Sequence, residues 1–111
     1  MDIKLIDFDV KGDKRGSLIA LEDGVNTPFD IKRCYYIYNT KAGVRRGFHA
    51  HKNLQQLAVC VSGSCRFFLD DGETTKDITL DSPDKGLVLK GLLWREMYDF
   101  SDDCVLMVLA D

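Results

Sequence analysis

Short apolar runs that alternate with polar residues, each broken by turn-forming residues after a few positions, dominate this sequence. No segment carries apolar residues at i, i+3, i+4 and i+7 over eleven positions or more, so an amphipathic helix has no face to bury. Strand-like runs recur instead at residues 4–9, 17–22, 31–38, 47–51, 56–61, 65–70, 75–80, 87–89, 94–98 and 104–109. Residues 61–65 and 70–73 read as tight turns, because Gly63 and Gly72 supply positive φ there. Residues 13–16 and 41–43 are further turns, and residues 81–86 form a longer loop. Many short strands with evenly spaced turns predict an all-β sandwich or barrel. At 111 residues, with no repeat, low-complexity stretch or linker, the chain reads as one domain over 1–111. A small β domain must cover its edge strands, so a homodimer that shares strands is expected.

Charge narrows the function classes. Fifteen Lys and Arg against eighteen Asp and Glu give −3, without the basic excess of a nucleic-acid binder. No apolar run approaches the length of about 20 residues that a membrane span needs. The start, Met1-Asp2-Ile3-Lys4, is acidic at once and has no signal-peptide core, so a cytoplasmic protein is expected. The four cysteines, Cys34, Cys60, Cys65 and Cys104, match no zinc spacing. Cys34, Cys60 and Cys104 sit within apolar runs and are expected to be reduced, buried thiols. The acidic Asp70-Asp71-Gly72-Glu73 lacks the alternating ligands of a calcium loop and reads as a solvated hairpin tip.

The only histidines, His49 and His51, are two residues apart. On a strand, side chains alternate faces, so the two imidazoles share one face and Phe48 and Ala50 take the other. A pair on the interior face lines a cavity; a pair on the polar face is two surface histidines. Histidine's ordinary pKa of about 6.5 makes it the natural general acid or base near neutrality. The surrounding order is Gly43, five residues, His49-x-His51, four residues, Gln56, six residues, Gly63. That spacing resembles the first cupin motif, in which Gly, His-x-His, Glu and Gly fall at these intervals. Gly86-Leu87-Val88-Leu89-Lys90-Gly91, leading to Arg95, is a weaker echo of the second. The resemblance implies a cupin-type jelly roll. Where a metal-binding cupin has Glu and a third His, this chain has Gln56 and Arg95. A fixed cation repels a metal ion and a neutral amide is a poor ligand, so no metal and no cofactor are expected.

Longer stretches resemble one family, the sugar-nucleotide 3,4-ketoisomerases acting on dTDP-4-dehydro-6-deoxyglucose. They are Asp13-Lys14-Arg15-Gly16-Ser17-Leu18, Ile31-Lys32-Arg33-Cys34-Tyr35-Tyr36-Ile37, Arg46-Gly47-Phe48-His49-Ala50-His51-Lys52, Ser62-Gly63-Ser64-Cys65, Leu69-Asp70-Asp71-Gly72 and residues 94–101, Trp-Arg-Glu-Met-Tyr-Asp-Phe-Ser. Members of that family usually carry an acidic, aromatic tail beyond the Val-Leu-Ala element, where this chain stops at Asp111. The resemblance implies that a 4-keto sugar becomes a 3-keto sugar through an enediol, on the way to a dTDP-3-amino-3,6-dideoxyhexose for surface glycans.

Under that reading one histidine is the base at C3 and C4, His49 being the first choice, and the other, His51, shuttles the proton or polarises the keto oxygen; the sequence leaves open which of the two leads. Tyr35 donates to the enediolate oxygen, or is a wall aromatic of Tyr35-Tyr36-Ile37-Tyr38. The diphosphate of the dTDP-sugar calls for arginine forks, with Arg15, Arg33, Arg46 and Arg95 as candidates; each also reads as a solvated surface residue. Lys52 and Asn53 follow the histidines and suit phosphate or ribose, and Gln56 faces the same cavity. Trp94 stacks on the base or belongs to the core. The competing readings are a nucleotide-sugar 3,5-epimerase, a non-catalytic cupin ligand-binding module, and a metal-dependent cupin oxygenase, the last disfavoured by Gln56 and Arg95.

Overall fold

The computed structural model describes residues 1–111 and contains strands and turns without a helix. Eleven strands follow in chain order: β1 (Ile3–Asp7), β2 (Lys11–Asp13), β3 (Gly16–Leu18), β4 (Arg33–Tyr38), β5 (Arg46–Ala50), β6 (Gln56–Ser62), β7 (Cys65–Asp70), β8 (Thr75–Leu80), β9 (Lys85–Leu89), β10 (Trp94–Tyr98) and β11 (Val105–Ala110). They form a five-stranded sheet in the order β1-β9-β6-β11-β4, a four-stranded sheet in the order β5-β10-β7-β8, and a separate hairpin of β2 and β3. Every pairing is antiparallel. The all-β expectation holds.

Alternation explains where the apolar side chains go. On β7, Cys65, Phe67 and Leu69 are buried while Arg66, Phe68 and Asp70 are half-buried on the outer face. The inward set meets Ala58 and Cys60 of β6, Leu87 and Leu89 of β9, and Leu106 and Val108 of β11 in one core between the sheets. Strand β6 is buried on both faces. Its other face carries Leu57 and Val59, which join Phe8, Val88 and Leu109 in a smaller core. That second core is covered by Ile19, Leu21, Phe29 and Ile31, so an irregular segment does the work of a third layer.

This layer corrects one predicted strand. Residues 17–22 alternate as a strand should, yet regular pairing ends at Leu18. Ile19 and Leu21 instead pack onto the outer face of the sheet, and a turn follows in which Asn26 accepts from the Glu22 amide at 2.8 Å and donates to the Ala20 carbonyl at 2.7 Å. Burial on a neighbouring surface outweighed the local preference for strand. The short β2 went unforeseen, because three exposed residues, Lys11-Gly12-Asp13, carry no apolar alternation. Cys34 is likewise corrected: it is exposed, since on edge strand β4 it shares the outer face with Tyr36 and Tyr38. Cys60, Cys65 and Cys104 are buried and free.

Candidate active site

The site is assembled where the end of β5 meets β10. Arg95 stands directly across the ladder from His49, and Trp94 across from Ala50. The register then shifts between Arg95 and Glu96, so that Glu96 faces Gly47. Phe48 is the extra residue of this bulge and holds a φ of 59°. Gly47 makes the bulge feasible: at φ 94° a Cβ there would sit 2.7 Å from the Arg95 carbonyl oxygen. Bulges of this kind re-aim side chains. Here the result keeps His49 and His51 on one side, with ring centroids 4.5 Å apart and planes at 66°. His51 lies just beyond the end of β5 rather than within the predicted strand 47–51, because the bulge spends one residue of the run.

Both imidazoles are half-buried. The Nδ1 atom of His49 is buried and has no hydrogen-bond partner. Burial holds the His49 pKa below its ordinary value, and the nearby charges of His51 and Arg95 push it the same way. The direction of that shift keeps His49 a neutral imidazole near pH 7.

Arg95 is 1% exposed, the largest fully buried side chain of the protein. Its Nε and Nη2 donate to the Leu93 carbonyl at 3.3 and 3.2 Å. Its Nη1 donates to Gln56 Oε1. Gln56 in turn donates from Nε2 to the Tyr35 hydroxyl at 3.2 Å. A polar chain thus crosses between the sheets, from β10 through β6 to β4. Gln56 is anchored at both ends of its amide, which fixes its rotamer and orients Tyr35. Burial lowers the Arg95 pKa, yet arginine stays charged in any protein environment, so a permanent positive potential faces His49. That potential suits negative charge developing on a substrate oxygen.

The remaining predicted residues are distributed unevenly. Tyr35, Gln56, Arg95, His49 and His51 belong to this region. Arg33 is exposed on β4, with its guanidinium 5.0 Å from the centre of the Tyr35 ring. Lys52 and Asn53 are exposed in the bend that follows the histidines, and Arg46 is exposed on β5. Arg15 lies at the turn of the β2–β3 hairpin, its Nη2 2.6 Å from Asp13 Oδ2 and its side chain 86% exposed. Within a single chain nothing joins it to the histidines. Trp94 is not a core residue: it is 36% exposed, donates to Glu96 Oε2 at 2.7 Å and meets Phe48 edge-on. Sequence reasoning missed the partners on this outer face. Arg45 pairs with Glu96 and lies 4.0 Å over the Tyr98 ring. Only the β5–β10 register brings residues so far apart in sequence together.

The donor set does not fit a divalent metal. Two imidazoles stand beside a neutral amide and a buried guanidinium, where such an ion needs anionic or further neutral ligands.

Comparison with known proteins identifies the family. The family model described as FdtA: WxcM-like, C-terminal matches residues 1–111. The chain belongs to this family. Its relatives include the TDP-4-oxo-6-deoxy-alpha-D-glucose-3,4-oxoisomerase of Aneurinibacillus thermoaerophilus, 56% identical over 110 residues, 99% of this chain and 79% of that one. Among solved structures, a 3,4-ketoisomerase from Helicobacter canadensis superposes with a TM-score of 0.95 at 51% identity, covering 99% of this chain and 83% of that one. The sugar 3,4-ketoisomerase QdtA from Thermoanaerobacterium thermosaccharolyticum, solved in complex with TDP, gives 0.96 at 43% identity, covering 98% and 80%. A dTDP-4-dehydrorhamnose 3,5-epimerase from Bacillus anthracis, 18% identical with a TM-score of 0.83, shares the fold alone. This chain thus shares the cupin-like fold of the solved 3,4-ketoisomerases, as the resemblance of its His-x-His spacing implied.

Proposed function

We infer that the protein is a nucleotide-sugar 3,4-ketoisomerase that converts dTDP-4-keto-6-deoxyglucose to the 3-keto-6-deoxyhexose. The observation that carries the mechanism is the pairing of His49 with His51, ring centroids 4.5 Å apart, opposite the buried Arg95 cation. A neutral imidazole removes the C3 proton, and the electron pair of that C–H bond forms the C3–C4 double bond. The C4 carbonyl becomes an enediolate oxygen, stabilised by donors such as the Tyr35 hydroxyl. The proton on the C3 oxygen passes to the base system, with His51 as shuttle, as the C3 carbonyl forms. One proton is delivered to C4 and the proton taken from the C3 oxygen ends on the C4 oxygen, which leaves a C4 hydroxyl. Electrons move only within the sugar, so the reaction balances without a redox cofactor. General acid–base catalysis of this kind supplies about 10²–10⁴-fold.

The 56% identity to an oxoisomerase supports this substrate and reaction. Arg46, Lys52 and Asn53, exposed next to the histidines in the chain, and Arg33, exposed on β4 beside Tyr35, are assigned to the diphosphate and nucleoside. Arg95 is assigned to electrostatic support rather than to phosphate, because its donors already serve Leu93 and Gln56. We read the protein as a homodimer. Supporting this, β2 and β3 pair with each other alone, and all six of their residues are exposed. A second copy receiving that hairpin would give Arg15 a route to a substrate. Reduced, buried thiols fit a reducing compartment such as the cytoplasm.

The deciding experiment incubates the protein with dTDP-4-keto-6-deoxyglucose in deuterated buffer and follows the sugar protons by NMR. Deuterium in place of the C3 proton together with a 3-keto product is expected. Exchange confined to C5 would make it an epimerase; binding without exchange would make it a ligand-binding module.

A further inference from the structure

Away from the histidines, three thiols meet in the core. Cys60 lies on β6, Cys65 opens β7 and Cys104 immediately precedes β11, and their sulfur atoms all lie within 4.8 Å of one another. The Cys60 and Cys104 sulfurs are 3.7 Å apart. Exposure is 0% for Cys60, 0% for Cys65 and 3% for Cys104. Gly63 makes the meeting geometrically feasible. It closes the β6–β7 turn at φ 66°, and a Cβ there would come 2.9 Å from the Cys104 amide nitrogen. Cys65 sits four residues along β7 from Leu69, which pairs with Arg95, so the thiols lie about 13 Å along the strand from the level of the histidines.

We propose that Cys60, Cys65 and Cys104 form a three-sulfur binding site for copper(I). Bonds of about 2.3 Å from a central ion place three sulfurs about 4 Å apart, close to the spacing already present. Soft sulfur ligands select thiophilic d10 ions, copper(I) and zinc(II) foremost. Zinc takes four protein ligands in structural sites and adds a water to three protein ligands in catalytic ones. Here the cluster offers three donors of the His, Cys, Asp or Glu kind, set among apolar neighbours such as Phe67, Leu80 and Leu106. Copper(I) is satisfied by three sulfurs. Each sulfur binds as the thiolate, so metal entry releases the thiol protons and binding weakens as pH falls. The metal does not change oxidation state, and no co-reactant is involved. The bound ion would tie β6, β7 and the segment before β11 together at the end of the sandwich opposite the histidines.

The test titrates reduced protein anaerobically with copper(I) against a chromophoric copper(I) chelator, with zinc(II) in a parallel series. One equivalent held per chain is expected. Cys34→Ala, which alters an exposed thiol on β4, should bind as the wild type does. Cys65→Ala and Cys104→Ala should bind at least about tenfold more weakly, since disturbing even an outer partner of a metal ligand costs 10–100-fold. Circular dichroism checks that each variant is folded. Should the core variants fail to fold, the wild type decides: its melting temperature should rise with copper(I). A wild type that yields all its copper(I) to the chelator overturns the site, as does copper binding lost with Cys34. Preference for zinc(II) over copper(I) overturns the choice of ion.

Discussion

Arg95 faces His49 directly across the β5–β10 ladder, a buried cation opposite an imidazole whose Nδ1 has no partner. The pairing is one of three influences that favour the neutral base. Desolvation comes first, and the His51 and Arg95 charges add to it; all three lower the His49 pKa.

The acid limb of the kcat/KM–pH profile should therefore fall below pH 6.5, where an unperturbed histidine would titrate. Arg95→Gln removes one of the depressing charges, so the limb should move up in pH. Rates measured from pH 4.5 to 8 check both; a limb above 6.5 in the wild type would contradict the assignment. Stability follows the same sign. The unfolded chain takes up this proton at a higher pH than the folded one. His49 thus makes the fold less stable as pH drops through about 6.5, and the loss levels off below the lowered folded-state value. Urea midpoints across that range measure it.

His49→Asn should lose about 10²–10⁴-fold in turnover while keeping its affinity for TDP, because the amide still fills the space but accepts no proton. His51→Asn should lose less. NMR turnover assays and calorimetric titration with TDP separate the two effects. Full activity in the His49 variant would falsify its role as base.

Gln56→Leu removes the acceptor for Arg95 and the donor to Tyr35 in one step. A buried charged donor left without its partner costs about 1–3 kcal/mol or more. The denaturation midpoint should fall accordingly, and turnover should fall with it, since Tyr35 loses its orientation. A variant as stable as the wild type would mean that water replaces the amide.

Gly47→Ala places a methyl group against the Arg95 carbonyl and a side chain at φ 94°. Strain of this kind costs about 1–3 kcal/mol. The rearranged bulge would also re-aim His49, so both the melting temperature and kcat should drop. A stable but inactive protein would show the bulge to be a device for catalysis more than for folding.

Exhaustive treatment with a chelator such as EDTA should leave isomerisation unchanged, because Gln56 and Arg95 stand where a divalent ion would need ligands. Activity lost on chelation and restored by a divalent ion would overturn the proton-transfer mechanism.

Much of this was legible in the chain. Period-two alternation and glycine-marked turns determined the strands: residues 65–70, 75–80 and 94–98 fall where the pattern puts them, because each buries one face against one partner sheet. His49 and His51 on one side, and Tyr35 on the face opposite Tyr36 and Tyr38, follow from the same geometry. Tertiary structure alone decided the rest. Whether Ile19 and Leu21 pair or pack depends on a surface built by β6, β9 and β11. The seating of Arg95 between Gln56 and Leu93, and the meeting of Cys60, Cys65 and Cys104, join residues up to 44 positions apart. Local pattern records which face a side chain takes. What it touches there is set by strand order and register, which are properties of the whole sheet.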